Sequence, residues 1–314
     1  MKKFILKFGV FCLIFISTYY LFIKKLSDGN VDIYYNKCIN EAKSLIIGTS
    51  RAQQGISPEI LEKELQNKGI NTPLTNFAFN SYQSPYGAVY LEAIKKKLNP
   101  NSKNGVFILT IDLSSFASHT KDEKEITKMD MKMIPGKIDN FTSAPNYDYI
   151  INCYSQPLYH IFLKTSGWAN LITHKNGWNE VKTQYKNSQL ITDKDIKFWT
   201  NNTLELNKKR IEKEFISEYR IKSFIETITF LKEKGTVFIV RMPAAPELIK
   251  LENSVWKKFD VHFDSIAKKH KVPYFNYSKH SKEYKTYDGS HLLAESAKKL
   301  TKLLSKDINK ELSK

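Results

Sequence analysis

The segment Gly-Val-Phe-Ile-Leu-Thr-Ile from Gly105 to Ile111 is an unbroken apolar run bounded by polar residues on both sides. A strand with one wet face would alternate, so a run of this length points to a strand covered on both faces, as in parallel sheets flanked by helices. Its neighbours keep the same rhythm. Ser44 to Gly48 is a short apolar strand, and Ser57-Pro58-Glu59 opens a helix to Lys68, with proline in its first turn and Gly69 at its end. A strand near Thr72–Phe79 and a helix near Pro85–Leu98 follow, stopped by Asn99-Pro100. After the 105–111 strand, the stretch from Leu113 to about Leu206 is rich in Asn, Ser, Thr and Tyr and carries Trp168, Trp178 and Trp199. It reads as an insertion of short helices and loops whose aromatics form either a small core of their own or a wall over a site. Alternation resumes with a helix from about Leu206 to Lys234 and a strand Thr236–Arg241. A helix Leu248–Lys271, a strand Val272–Asn276 and a closing helix from about Leu292 complete it. Five strand–helix units in this order predict an α/β fold with a doubly wound, parallel five-stranded sheet.

The N-terminus sets the expected compartment. Lys2, Lys3 and Lys7 precede an uncharged run from Phe8 to Ile23, and Lys24 and Lys25 close it. Counted from Phe4, the run reaches the ~20 residues that span a bilayer. It ends in Tyr-Tyr-Leu-Phe-Ile rather than a small-x-small cleavage site, so residues 1–25 are expected to be a signal anchor, 26–43 a connector and 44–314 the α/β domain. Lysines before the span predict a cytoplasmic N-terminus and an extracytoplasmic domain on the cytoplasmic (inner) membrane. Cys38 and Cys153 are left for an oxidising compartment, as a disulfide or as two separate thiols.

Composition enters through charge. The chain carries 49 Lys+Arg against 32 Asp+Glu, a net +17, which invites a nucleic-acid reading. Only Arg51, Arg210, Arg220 and Arg241 are arginines, and the lysines are scattered, so the forked donor that reads bases is nearly absent. Nucleic acid is not an expected partner. On an exported domain the excess favours anionic lipid or acidic glycan. His119, His160, His174, His262, His270 and His280 show no paired ligand spacing, and no glycine-rich phosphate loop is present, so neither metal nor cofactor is expected.

In a doubly wound sheet the working residues lie just past the carboxyl ends of strands. Those ends read Gly48-Thr49-Ser50-Arg51, Phe79-Asn80-Ser81, Asp112-Leu113-Ser114, Arg241-Met242-Pro243 and Tyr287-Asp288-Gly289-Ser290-His291. A serine on the first strand-to-helix turn presents its hydroxyl beside free backbone N–H groups. A histidine can take its proton, and an aspartate three residues before that histidine can hold its tautomer. The bland alternatives are a Thr/Ser helix cap at 49–50 and an Asx turn at 288–291.

The Gly-Thr-Ser-Arg-Ala and Asp-Gly-Ser-His-Leu blocks together resemble the SGNH (GDSL-like) hydrolase superfamily, and look most like its membrane-anchored bacterial envelope members. The resemblance covers about 45–310 apart from the insertion, and its second and third blocks fall at Asn80-Ser81 and Thr110-Ile111-Asp112. It implies Ser50 as nucleophile, His291 as general base and Asp288 as its orienting acid, with the Ser50 N–H and Asn80 as oxyanion donors. Arg51, Ser81, Asp112 and Arg241 are the expected substrate-side residues. The family's asparagine is absent from the third block, where Asp112 stands. An ionised carboxylate aimed at an oxyanion opposes catalysis. Asp112 otherwise caps a helix or pairs with Arg51 or Arg241. The implied activity is a serine esterase or O-acyltransferase on an acylated envelope polysaccharide, its acyl donor delivered in the transfer case by a membrane acyl-transport partner. The competing reading is an inactive glycan-binding or scaffold module.

Overall fold

The computed structural model describes residues 1–28, 31–80, 82–159, 161, 170–184 and 189–314. Its centre is a parallel sheet of β1 (Ser44–Ile47), β2 (Leu74–Asn76), β3 (Gly105–Ile111), β8 (Gly235–Arg241) and β9 (Tyr274–Asn276), in the order β2-β1-β3-β8-β9. Two antiparallel ribbons stand outside it, β4 (Ala117–Ser118) with β7 (Phe215–Ile216) and β5 (Leu171–Thr173) with β6 (Asn179–Val181). The order reverses between β1 and β3, which opens a crevice at their carboxyl ends.

All seven residues of β3 are buried, as its unbroken apolar run requires. Phe107, Leu109 and Ile111 face one core, shared with α4 (Ala88–Lys97), α9 (Glu218–Lys232) and α11 (Phe259–His270). Val106 and Ile108 face the other, closed by Leu300, Leu304 and Ile308 of α12 (Ala294–Leu312). The chain is therefore an α/β protein with helices on both faces of a five-stranded parallel sheet. On the second face, α2 (Ser50–Gly55) and α3 (Pro58–Glu64) pack against α12, and the buried Ser57 N–H donates to Thr301 Oγ1 at 3.2 Å.

The helix α1 (Lys2–Ser27) has a mean hydropathy of 1.9 over its most apolar window and is long enough to cross a membrane. At 1.5 Å per residue it is about 39 Å long. Its last turn is docked rather than loose, because Leu26 is fully buried and Phe22 and Ile23 pack on the first core. The expected connector is likewise folded in, with Tyr35, Lys37 and Cys38 buried. Cys38 and Cys153 are both free thiols.

Two expected helices are each broken in two. The helix expected over Leu206–Lys234 is α8 (Asp193–Ile211) and α9, separated by β7. Phe215 and Ile216 pair with β4, and Ser217 then caps α9 by accepting the Arg220 N–H. The helix expected over Leu248–Lys271 is α10 (Pro246–Val255) and α11, with Trp256 out of helical geometry between them and its ring edge-on to Phe259. The stretch expected as an insertion ends inside α8, which runs on to Ile211 before β7. That stretch also holds α5 (Glu123–Asp130), α6 (Ile134–Lys137) and α7 (Tyr147–Cys153).

Candidate active site

Ser50 begins α2 directly after β1. The turn depends on Gly48: a Cβ there would sit 1.9 Å from Thr110 Oγ1, so no side chain fits where β1 passes β3. Thr49 is the N-cap residue of α2 by position, but its side chain makes no cap. Its hydroxyl donates instead to Asp112 Oδ2 at 2.6 Å, which ties the ends of β1 and β3 together.

Ser50 Oγ lies 2.7 Å from His291 Nε2, and His291 Nδ1 lies 2.7 Å from Asp288 Oδ2. The other Asp288 oxygen accepts the backbone N–H groups of Ser290 and His291 at 2.9 and 2.8 Å. One carboxylate therefore closes an Asx turn and orients the imidazole. Burial alone would raise the Asp288 carboxyl, but the His291 ring, its hydrogen bond and the two N–H donors hold it below its usual 3.8. Gly289, at φ +83°, makes the tight passage between the two residues.

The cavity beside Ser50 has a volume of about 170 Å³. Thr49, Ser50, Leu113, Ser114 and His291 form its floor, and Thr203, Leu206, Asn207 and Arg210 of α8 form the opposite wall, with Tyr82 at the mouth. Behind the site, the Tyr287 hydroxyl donates to Gln54 Oε1 at 3.1 Å and its ring stacks on His291 at 5.7 Å.

Several expected site residues are held by other groups, and of these Arg51 still lines the cavity. Arg51 is 7% exposed and its Nη2 pairs with Glu252 Oε1 at 2.5 Å. Its Nε donates to Ser290 Oγ at 3.1 Å, so it clamps the 288–291 loop to α2 and α10. Arg241, 1% exposed, pairs with Asp260 at 2.6 Å and Asn253 at 2.8 Å, buried away from the cavity. Asp112 is the N-cap of a single 3₁₀ turn, Leu113–Ser115, and accepts from Thr49, Ser114 and the Ser115 N–H. Burial opposes its charge, but Arg51 and those donors hold the carboxyl below 3.8, ionised and turned into its own turn. Asn80 does not line the cavity; its Oδ1 accepts the Tyr82 N–H at 2.9 Å and its side chain meets the Tyr34 hydroxyl. Ser81 and Trp168 lie outside the described residues.

The insertion's other tryptophans are packing residues and not a wall. Trp178 stacks on His174 at 4.7 Å and donates to Gln54 O at 2.9 Å, and Trp199 packs edge-on to Tyr287. The α8 wall and Glu252 went unforeseen. The local sequence of α8 shows only a capped polar helix, and nothing near Glu252 marks it as the partner of a residue 201 positions away.

No protein-family model matches the chain, and no curated protein does. Among solved structures, the inhibitor-bound form of M. smegmatis aryl esterase is similar at 9% identity and a TM-score of 0.36, over 85% of this chain and 97% of that one. A likeness that slight adds nothing to the geometry above.

Proposed function

We propose that this chain is a membrane-anchored serine esterase or O-acyltransferase acting on an acylated envelope glycan on the outer side of the cytoplasmic membrane. The observation that carries the proposal is the continuous hydrogen-bonded line from Ser50 Oγ through His291 to Asp288, with both links at 2.7 Å. Ser50 Oγ attacks the ester carbonyl as His291 Nε2 takes its proton. The negative charge on the tetrahedral oxygen faces the Ser50 backbone N–H at the start of α2. As the C–O bond breaks, His291 returns the proton to the leaving alkoxide, and the acyl group stays on Ser50. Water or a sugar hydroxyl then attacks the acyl carbon as it gives its proton to His291, and His291 passes that proton to Ser50 Oγ as the acyl–O bond breaks, which yields an acid or a new ester.

The volume supports a short acyl group. At about 170 Å³ the cavity is smaller than the roughly 300–1,000 Å³ of sites that swallow a drug-sized ligand, so the sugar stays at the mouth. The long apolar α1 supports the anchor, and lysines on its N-terminal side support the orientation. A membrane partner that delivers acyl groups fits the transfer version.

Labelling of the full chain in detergent with a fluorophosphonate probe tests the reading. The wild type is expected to be labelled and Ser50→Ala not. A wild type that reacts no faster than Ser50→Ala would remove the enzyme reading and leave the glycan-binding module.

A further inference from the structure

With Arg51 paired to the buried Glu252, the remaining guanidinium that lines the cavity among the described residues is Arg210, on the α8 wall. Its Nε donates to Glu214 Oε1 at 2.9 Å, which fixes the plane of the guanidinium. Among the described residues, neither Nη1 nor Nη2 has a hydrogen-bond partner. A fork held from behind with its two outer donors unused is the arrangement that accepts a carboxylate or phosphate in bidentate fashion.

Tyr82 completes the feature. It is 75% exposed at the mouth of the same cavity, and its ring lies 5.8 Å from the Arg210 guanidinium carbon. A large aromatic left in water beside a candidate nucleophile calls for an occupant, because covering its face removes apolar area from water. The C–H face of a pyranose ring matches it. Stacking also draws cations to the ring, so Tyr82 steadies the guanidinium from the open side. Glu214 sits close to the same group and is itself shared with His119 at 3.4 Å. It neutralises part of the Arg210 charge, so recognition rests on hydrogen-bond geometry more than on net field.

We infer that Tyr82 and Arg210 form a subsite for an acidic sugar, with the ring on Tyr82 and its carboxylate or phosphate on the Arg210 fork. This rests on the proposed activity for its meaning, since it names the part of the glycan left outside the acyl cavity, but not for its test.

The test measures binding and requires no turnover. Full-length Ser50→Ala in detergent is titrated calorimetrically with glucuronate, glucose 6-phosphate and glucose. The two acids are expected to bind at least about tenfold more tightly than glucose, the factor that one charge-assisted hydrogen-bonded pair supplies. In Ser50→Ala/Arg210→Gln that preference is expected to vanish, in Arg210→Lys to survive in part, and in Tyr82→Ala all three sugars are expected to weaken together. Comparing glucuronate with glucose 6-phosphate tells a carboxylate site from a phosphate site. Equal affinities for all three sugars, no binding at all, or a preference untouched by Arg210→Gln would each overturn the inference. Acid-selective binding in a protein that resists fluorophosphonate would instead retain the subsite and remove the enzyme.

Discussion

The four arginines explain themselves one by one. Arg51 pairs with Glu252, Arg210 with Glu214 and Arg241 with Asp260, while Arg220 grips Asp130 through both Nη atoms at 2.5 and 2.7 Å. In a chain that otherwise uses lysine for positive charge, arginine persists where a planar fork is required. Their scarcity in the sequence weighs against an expectation of duplex binding, but it equally marked four positions where geometry counts. At Asp288 the prediction is kinetic. Asp288→Asn keeps the shape of the turn but leaves His291 without the carboxylate that fixes its tautomer. A loss of about 10²–10⁴ in kcat for ester hydrolysis is expected, with KM little changed. Steady-state kinetics on a chromogenic acetate ester checks this, and a fall of less than fivefold would show that Asp288 acts only as a turn residue. Ser50, Asp288 and His291 were legible because each lies within a few residues of a strand end or a helix start. Asp112 was legible only as a pair of alternatives. Its outcome depended on Thr49, whose hydroxyl has no sequence signal to say that it faces Asp112 rather than its own helix.

At the scale of elements, α8 is the least expected piece. None of its residues is fully buried, yet it supplies one wall of the cavity. It is seated on the 288–291 loop through a contact that only glycine allows, since a Cβ on Gly289 would lie 2.8 Å from Thr200 Cγ2 at a backbone φ of +83°. Gly289→Ala is therefore expected to cost about 1–2 kcal/mol from the left-handed conformation alone. It should also push α8 off the loop, lowering kcat/KM more than that loss of stability accounts for. Urea unfolding beside ester kinetics separates the two, and a variant of unchanged stability and activity would refute the seating. The strands β1, β3 and β8 were legible from their apolar runs, β2 and β9 from the alternation around them, and the first-turn proline of α3 from its place. The breaks at β7 and Trp256 were not, because neither contains Gly or Pro. Ser217 signals a cap only once the pairing of Phe215 and Ile216 with β4 is known, and a helical stripe of apolar residues runs on through both breaks.

For the whole molecule, two buried lysines hold the segment after α1 in place. Lys37 is fully buried and gives its N–H groups to the carbonyls of Asn76 and Gly177, and Lys97 serves those of Ile39, Asn40 and Phe141. The two carbonyls on Lys37 are as many as a neutral amine can serve, whereas the three on Lys97 take all the N–H groups of an ammonium; burial pushes Lys37 down to about 7 and Lys97 to about 8, from 10.5. A lowered folded value means that between about pH 7 and 9 the unfolded chain holds more protons than the folded one, so stability rises with pH. Above pH 9 the Cys38 thiol opposes this, because burial raises it and the folded protein keeps a proton that the unfolded chain loses. The urea midpoint of the full chain in detergent is expected to be higher at pH 9 than at pH 7, with part of the rise lost in Lys37→Met. A midpoint that falls over that interval would contradict the burial of these amines. None of this was readable from a lysine count, since the residues 26–43 read as a polar connector. The sheet's winding has a last consequence in time. Ser50 and His291 are 241 residues apart, on a first turn and a last loop that meet only when α12 closes over α2 and α3. A nascent chain thus displays Ser50 early and His291 only near the end of synthesis, so the hydrogen bond between them cannot form before the last segment is made.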